Sequence, residues 1–138
     1  MQYFDSLLQY RDLGVLLLRL VVGYTFIYHG WPKLFGGPAM SLKGFASWLA
    51  SMGLPLPMAL ALIVGVVETL GGLALILGVG VQLAALLLAI NMLVATILKV
   101  TKMGKSFAGD GGYEFDLALL AANLFLALNG AGVYAFWR

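Results

Sequence analysis

Of 138 residues, 62% are hydrophobic and 10% charged, against roughly 25% charged in an ordinary soluble domain. A chain of this length has too small an interior to hide that much apolar surface, and a mean hydropathy of +1.00 puts the surplus against lipid, which excludes a soluble globular protein. Eight Lys and Arg against six Asp and Glu make no basic field for a nucleic acid, and the absence of cysteine removes disulfides, CxxC redox chemistry, iron–sulfur ligation and a cysteine nucleophile, so any redox role rests on a bound small molecule.

Four apolar stretches are each long enough to cross about 30 Å of hydrocarbon at about 1.5 Å per residue. The first covers about 13–30 and reads as an uncleaved anchor, since no small-residue cleavage site follows it. In the loop after it, Leu42, Phe45, Leu49 and Met52 recur at helical spacing opposite Lys43, Ser47 and Ser51. This is an amphipathic helix over about 41–52, capped by Ser41, too short to span and suited to lie at the interface or cover the bundle mouth. The breaker Gly53-Leu54-Pro55-Leu56-Pro57 precedes the second span, about 57–79, with Pro57 in the first helical turn. The third, about 81–98, follows at once as a tight antiparallel hairpin. A glycine-rich irregular loop to Gly112 leads to the fourth, about 114–137.

The predicted architecture is an all-α polytopic membrane protein: a single domain, an antiparallel bundle of four transmembrane helices with a short amphipathic helix in the first long loop. Lys33, Lys43, Lys99, Lys102 and Lys105 lie on the two-loop face against Arg11 and Arg138 on the terminal face, so the expected orientation in the cell inner membrane has long loops cytoplasmic and termini outside.

Ionisable residues at membrane depth are costly, and each is a candidate site with a partner to be named. Arg19 and Glu68 are the deepest, with about 6 Å between their depths at about 1.5 Å per residue. That separation allows a bidentate Arg19–Glu68 pair, serving either chemistry or helix packing. His29, the one histidine, sits at the far end of the first span, as a proton relay or ligand contact on one reading and a helix-end cap on the other. Asn91 on the third span and Asn123 on the fourth point inward with them, as ligand contacts or interhelical glue, and together these side chains outline a small polar pocket. One histidine makes neither a bis-histidine haem site nor a zinc site, and Asp110, Glu114 and Asp116 are too few oxygen ligands for Mg or Ca, so no metal is assigned. Aromatics such as Trp31, Trp48, Tyr113 and Trp137 gather near span ends as an interfacial belt.

The run from Leu18-Arg19-Leu20 to His29-Gly30-Trp31-Pro32-Lys33-Leu34-Phe35-Gly36, then Leu54-Pro55, then Val67-Glu68 with Gly71-Gly72 and Gly78, and finally Gly111-Gly112-Tyr113-Glu114-Phe115 resembles the DoxX family of small bacterial and archaeal membrane proteins over nearly the whole chain. The resemblance implies a four-helix membrane bundle and an oxidoreductase label. Relatives include the large subunit of a thiosulfate:quinone oxidoreductase, members induced by quinone or catechol stress, and members associated with redox-defence enzymes. It marks His29, Lys33, Glu68 and Glu114 as site residues, with Arg19 added by the depth argument.

Three functions follow as alternatives. The first is a quinone-linked oxidoreductase or redox-stress component, with a bound quinone as its cofactor. His29 and Glu68 would be its catalytic residues, and Arg19, Lys33, Asn91, Glu114 and Asn123 its ligand contacts. The second is a non-catalytic membrane scaffold or assembly factor for a soluble or membrane redox partner. The third is a small-molecule transporter, which lacks the repeated broken helices usual in that class. Membrane lipid is a partner on every reading, and a homo-oligomer is compatible with each.

Overall fold

The computed structural model describes residues 2–36 and 41–138. A short helix α1 (Gln2–Asp5) and a 3-10 turn (Ser6–Tyr10) lead into α2 (Arg11–Phe35), then α3 (Leu42–Ser51), α4 (Pro57–Leu77), α5 (Val81–Thr101) and α6 (Glu114–Asn129). The described residues form no β-strand. Ser41 caps α3 by accepting from Gly44 N at 3.2 Å, and Pro57 opens α4 where its missing N–H costs nothing.

Among the described residues, three segments are long and apolar enough to cross a membrane: Ser6–Phe35, Pro57–Leu77 and Val81–Thr101. Their outward residues, among them Leu17, Val21, Ile63, Leu70, Leu83 and Ile90, are exposed, a continuous apolar surface that lipid, not water, accommodates.

The expected fourth span is the element that differs. The sequence expectation runs it to residue 137, whereas α6 ends at Asn129. Gly130 turns out of the helix at φ 81, ψ −166, and Gly132 follows at φ 73, in a region that L side chains avoid. Its 16 residues rise roughly 24 Å, short of about 30 Å of hydrocarbon. The apolar residues beyond it belong instead to an irregular tail that runs back to the end of α4. There Phe136 N donates to Leu77 O and Trp137 N to Gly78 O, both at 3.2 Å.

Small residues set the tightest helix pair. A Cβ on Gly23 would lie 2.6 Å from Gly72 O, and one on Gly72 would lie 2.5 Å from Gly23 O, so backbone meets backbone between α2 and α4. Further along, Gly30 lies against Glu68 and Thr69, and Gly65 against Leu34, which makes the pair antiparallel. Between α5 and α6, Gln82 Nε2 donates to Ala127 O at 3.0 Å at one end and Lys99 meets Asp116 at the other. The core between the helices is Val22, Phe26, Leu75, Ala85, Leu88 and Leu126 with their neighbours. Helix α3 packs on α4 through Ala46, Leu49 and Ala61.

The last turn of α4 accounts for the buried arginine. A helix end leaves four carbonyls without intrahelical donors. Here Ala74 O accepts from Gly78 N and Val79 N, and Leu77 O accepts from the tail. Leu75 O accepts from Arg19 Nε at 2.8 Å and Ile76 O from a terminal guanidinium nitrogen at 3.2 Å. The other terminal nitrogen donates to Ala131 O at 2.7 Å and to Tyr134 O at 2.5 Å. Arg19, 1% exposed, therefore clasps three segments together through carbonyl oxygens.

Candidate functional site

Helix register decides which polar side chains meet. The packing that sets Gly30 against Glu68 puts Lys33 one turn further along α2, and its Nζ reaches back to within 2.5 Å of Glu68 Oε2. From α5, Asn91 Nδ2 donates to Glu68 Oε1 at 2.9 Å. Both carboxylate oxygens are engaged, in a residue only 3% exposed. Lys33 Nζ also stands 4.9 Å from the centroid of the Phe45 ring, a cation–π contact that joins α3 to the ion pair.

Beside this network lies a cavity of about 280 Å³. Phe26, Phe45, Trp48, Met92, Leu98 and Phe115 give its wall an apolar and aromatic character, and Thr25, His29, Lys33, Glu68, Asn91, Lys99 and Asp116 supply its polar groups. Trp48, Val94 and Phe115 on its rim are 44–48% exposed, so the cavity opens through the outer surface of the helices. Such a balance, mostly apolar with a few placed polar groups, is that of a small-molecule site, and its volume is near the lower end of the usual range.

His29 Nδ1 lies 2.9 Å from Thr25 O. A carbonyl oxygen only accepts, so Nδ1 carries the proton, and in the neutral ring Nε2 is left with a lone pair. The ring is flanked by Tyr28 and Phe115, with centroids at 5.6 and 5.8 Å. Nearer the loops, Lys99 Nζ pairs with Asp116 Oδ2 at 2.8 Å and donates to Gly112 O at 3.3 Å. The Asp116 contact is an ion pair without the alignment of a hydrogen bond. Four charged side chains thus reach the cavity as two closed pairs.

Of the seven predicted site residues, four line the cavity and three do not. His29, Lys33, Glu68 and Asn91 come together on the cavity wall. Arg19 lies at the other end of α4, and the expected Arg19–Glu68 pair does not form. The Gly23–Gly72 register brings Arg19 level with the carbonyl end of α4, whose free acceptors take the guanidinium, while Lys33 supplies the cation for Glu68. Glu114 is exposed in the first turn of α6, placed to favour the helix dipole, and does not line the cavity. Asn123 is fully buried with Nδ2 donating to Leu119 O at 2.8 Å, also away from the cavity wall.

Sequence reasoning missed Lys99 as a site residue and weighed Asp116 as a metal ligand without assigning it to the site. Spacing carried the signal, since Asn91, Ala95, Leu98 and Lys99 follow one helical stripe, and all four line the cavity. Lys33 and Lys99 both count toward the charge of the two-loop face in the sequence, and each is held by a buried acid.

The family model described as DoxX matches residues 14–101. The chain belongs to the DoxX family. A relative in Bacillus subtilis (strain 168), CatD, whose name places it provisionally among the oxidoreductases, is 32% identical over 120 residues, covering 87% of this chain and 81% of that protein. An uncharacterised protein of Haemophilus influenzae is 35% identical over 136 residues, 95% of this chain and 93% of its own length. The inner membrane protein YphA of Escherichia coli (strain K12) is 28% identical over 141 residues, 95% and 97% of the two chains. No solved structure matches the chain. The DoxX match takes in the whole Lys33–Glu68–Asn91 network and stops before the Asp116 side of the cavity. With its apolar helices and its likeness to an inner membrane protein, this DoxX chain is a membrane protein.

Proposed function

We propose that this DoxX chain is the membrane component of a quinone-linked oxidoreductase or redox-stress system, and that its cavity holds the quinone ring. The observation that carries this reading is the cavity itself. It is a largely apolar hollow with aromatic lining, and Lys33, Glu68, Asn91 and His29 are among the polar groups that reach it. Flat rings stack on walls of this kind, and an ammonium with three donors, one of them committed to Glu68, keeps hydrogen bonds to offer a ring oxygen. Glu68 holds Lys33 in place, and Asn91 holds Glu68. Arg19 and Asn123 keep structural roles, and Glu114 serves the helix start. With no cysteine in the chain, electrons pass to or from the ring by way of a soluble or membrane redox partner.

On this reading α6 and the tail after it complete a fourth crossing of the inner membrane. Lys43, Lys102 and Lys105, which pair with no acid in the described residues, favour a cytoplasmic two-loop face.

The test is native mass spectrometry with organic extraction of protein purified from membranes. A stoichiometric quinone, weakened by Glu68→Gln, supports the proposal. An extract of phospholipid alone, together with no uptake of added quinone, refutes it and favours a non-catalytic scaffold.

A further inference from the structure

The polar groups of the cavity are not equivalent toward a ligand. Lys33 and Glu68 neutralise each other, as do Lys99 and Asp116, so the wall presents no uncompensated charge and suits an uncharged molecule, because an unpaired ion costs far more to desolvate. Glu68 already accepts from Lys33 and Asn91. Open acceptors remain at Asn91 Oδ1, at the Asp116 carboxylate and at His29, and of these His29 stands clear of the two ion-pair networks. Its Nδ1 proton is spent on Thr25 O, and Nε2, at the tip of the ring, has no partner among the described residues. In the neutral ring that nitrogen is a pure acceptor. It matches a hydroxyl, which donates, and meets a carbonyl oxygen lone pair to lone pair.

We propose that the cavity selects its ring in the reduced, hydroxyl-bearing form, an uncharged hydroquinone or similar phenol, whose O–H donates to His29 Nε2 while the ring lies against Phe26 and Phe115. This deepens and rests on the quinone reading. His29 is then the residue that discriminates reduced from oxidised ligand, and Lys33, the other group with open donors, contacts both. The selection is chemical: O-methylation removes the donor without removing the ring.

Because the chain has one histidine, every imidazole signal from isotopically labelled histidine in a nanodisc sample belongs to His29, and the test needs no substitution. Under argon at mildly alkaline pH, the spectrum without ligand should show Nδ1 protonated and Nε2 bare. Durohydroquinone should shift Nε2, while its dimethyl ether and duroquinone should bind without that shift. Affinity should favour durohydroquinone over the ether by about tenfold, the worth of one hydrogen bond of ordinary strength. His29→Phe should erase that preference and change ether binding by less than about threefold. A protonated Nε2, an equal shift with the ether, or a preference that survives in His29→Phe overturns the inference and leaves the quinone reading standing. If none of the three rings binds, the quinone reading falls and takes this inference with it.

Discussion

Removing Lys33 should cost more than removing Glu68, although they are two halves of one contact. Lys33→Met leaves a carboxylate that is 3% exposed with Asn91 as its one remaining partner. Breaking a buried pair from one side typically costs about 3–5 kcal/mol. The carboxyl has one way out, which is to take a proton, and for an ordinary glutamic acid at pH 7 that costs about 3.7 kcal/mol. The loss should therefore fall between about 3 and 4 kcal/mol. Glu68→Gln leaves the ammonium, whose side chain is 16% exposed and still faces the Phe45 ring. A lysine can extend along its stem toward water, so about 1–2 kcal/mol is expected. In Lys33→Met/Glu68→Gln neither charge remains, and the double variant should recover at least half of the Lys33→Met loss. Reversible unfolding in mixed detergent–SDS micelles, followed by tryptophan fluorescence, gives the three differences. Equal single losses that simply add would refute the reasoning, since they would mean that neither group is stranded by loss of the other.

Gly72→Ala should cost about 1–3 kcal/mol in the same assay, because relieving a Cβ 2.5 Å from Gly23 O means separating two backbones. Gly14→Ala, where nothing lies within 4 Å, should stabilise by about 0.5–1 kcal/mol; similar values for the two would sink the close-packing argument. Arg19→Lys should free the tail, since one ammonium with three donors cannot serve carbonyls at Leu75, Ile76, Ala131 and Tyr134. Limited proteolysis after residue 129 should accelerate at least tenfold by rough estimate, for a loss of about 1.4 kcal/mol or more in local stability, and unchanged protection would contradict the clasp. Lys99→Met should lower ring binding together with stability, and Lys99→Met/Asp116→Asn should recover the stability. Calorimetry and ligand titration on both variants separate the two effects.

Much of this was readable from the residues because the signals were local. Pro57, Ser41 and the Gly78–Gly80 turn sit where capping and turn chemistry put them. Long apolar runs became helices at nearly the predicted places. The tail was not legible, because Ala131 to Trp137 is as apolar as a helix and only the paired glycines mark the break. Part of the candidate site was legible as well. His29, Lys33, Glu68 and Asn91 stand out as polar residues in apolar helices, but the partner of Glu68 depends on interhelical register. Register is fixed here by backbone contact at Gly23 and Gly72, which depth counted along single helices does not contain. Lys99 was hidden for a related reason: a lysine near a helix end reads as a topogenic loop charge until the acid facing it on another helix is known.

The Arg19 clasp also sets a timetable for biosynthesis. Its first acceptor, Leu75, is made 56 residues later, and the two in the tail, Ala131 and Tyr134, 112 and 115 residues later. At roughly 5–20 residues per second, the tail acceptors arrive about 6 to 23 s after the arginine. For that interval the nascent first helix carries a cation with acceptors at Leu75 and Ile76 at most and none yet at Ala131 and Tyr134. The clasp closes only once Ala131 and Tyr134 have been made and the chain there has returned to the end of α4. The segment after α6 is thus what completes the hydrogen bonding of the buried arginine, and a chain stalled before residue 131 would hold a part-satisfied cation.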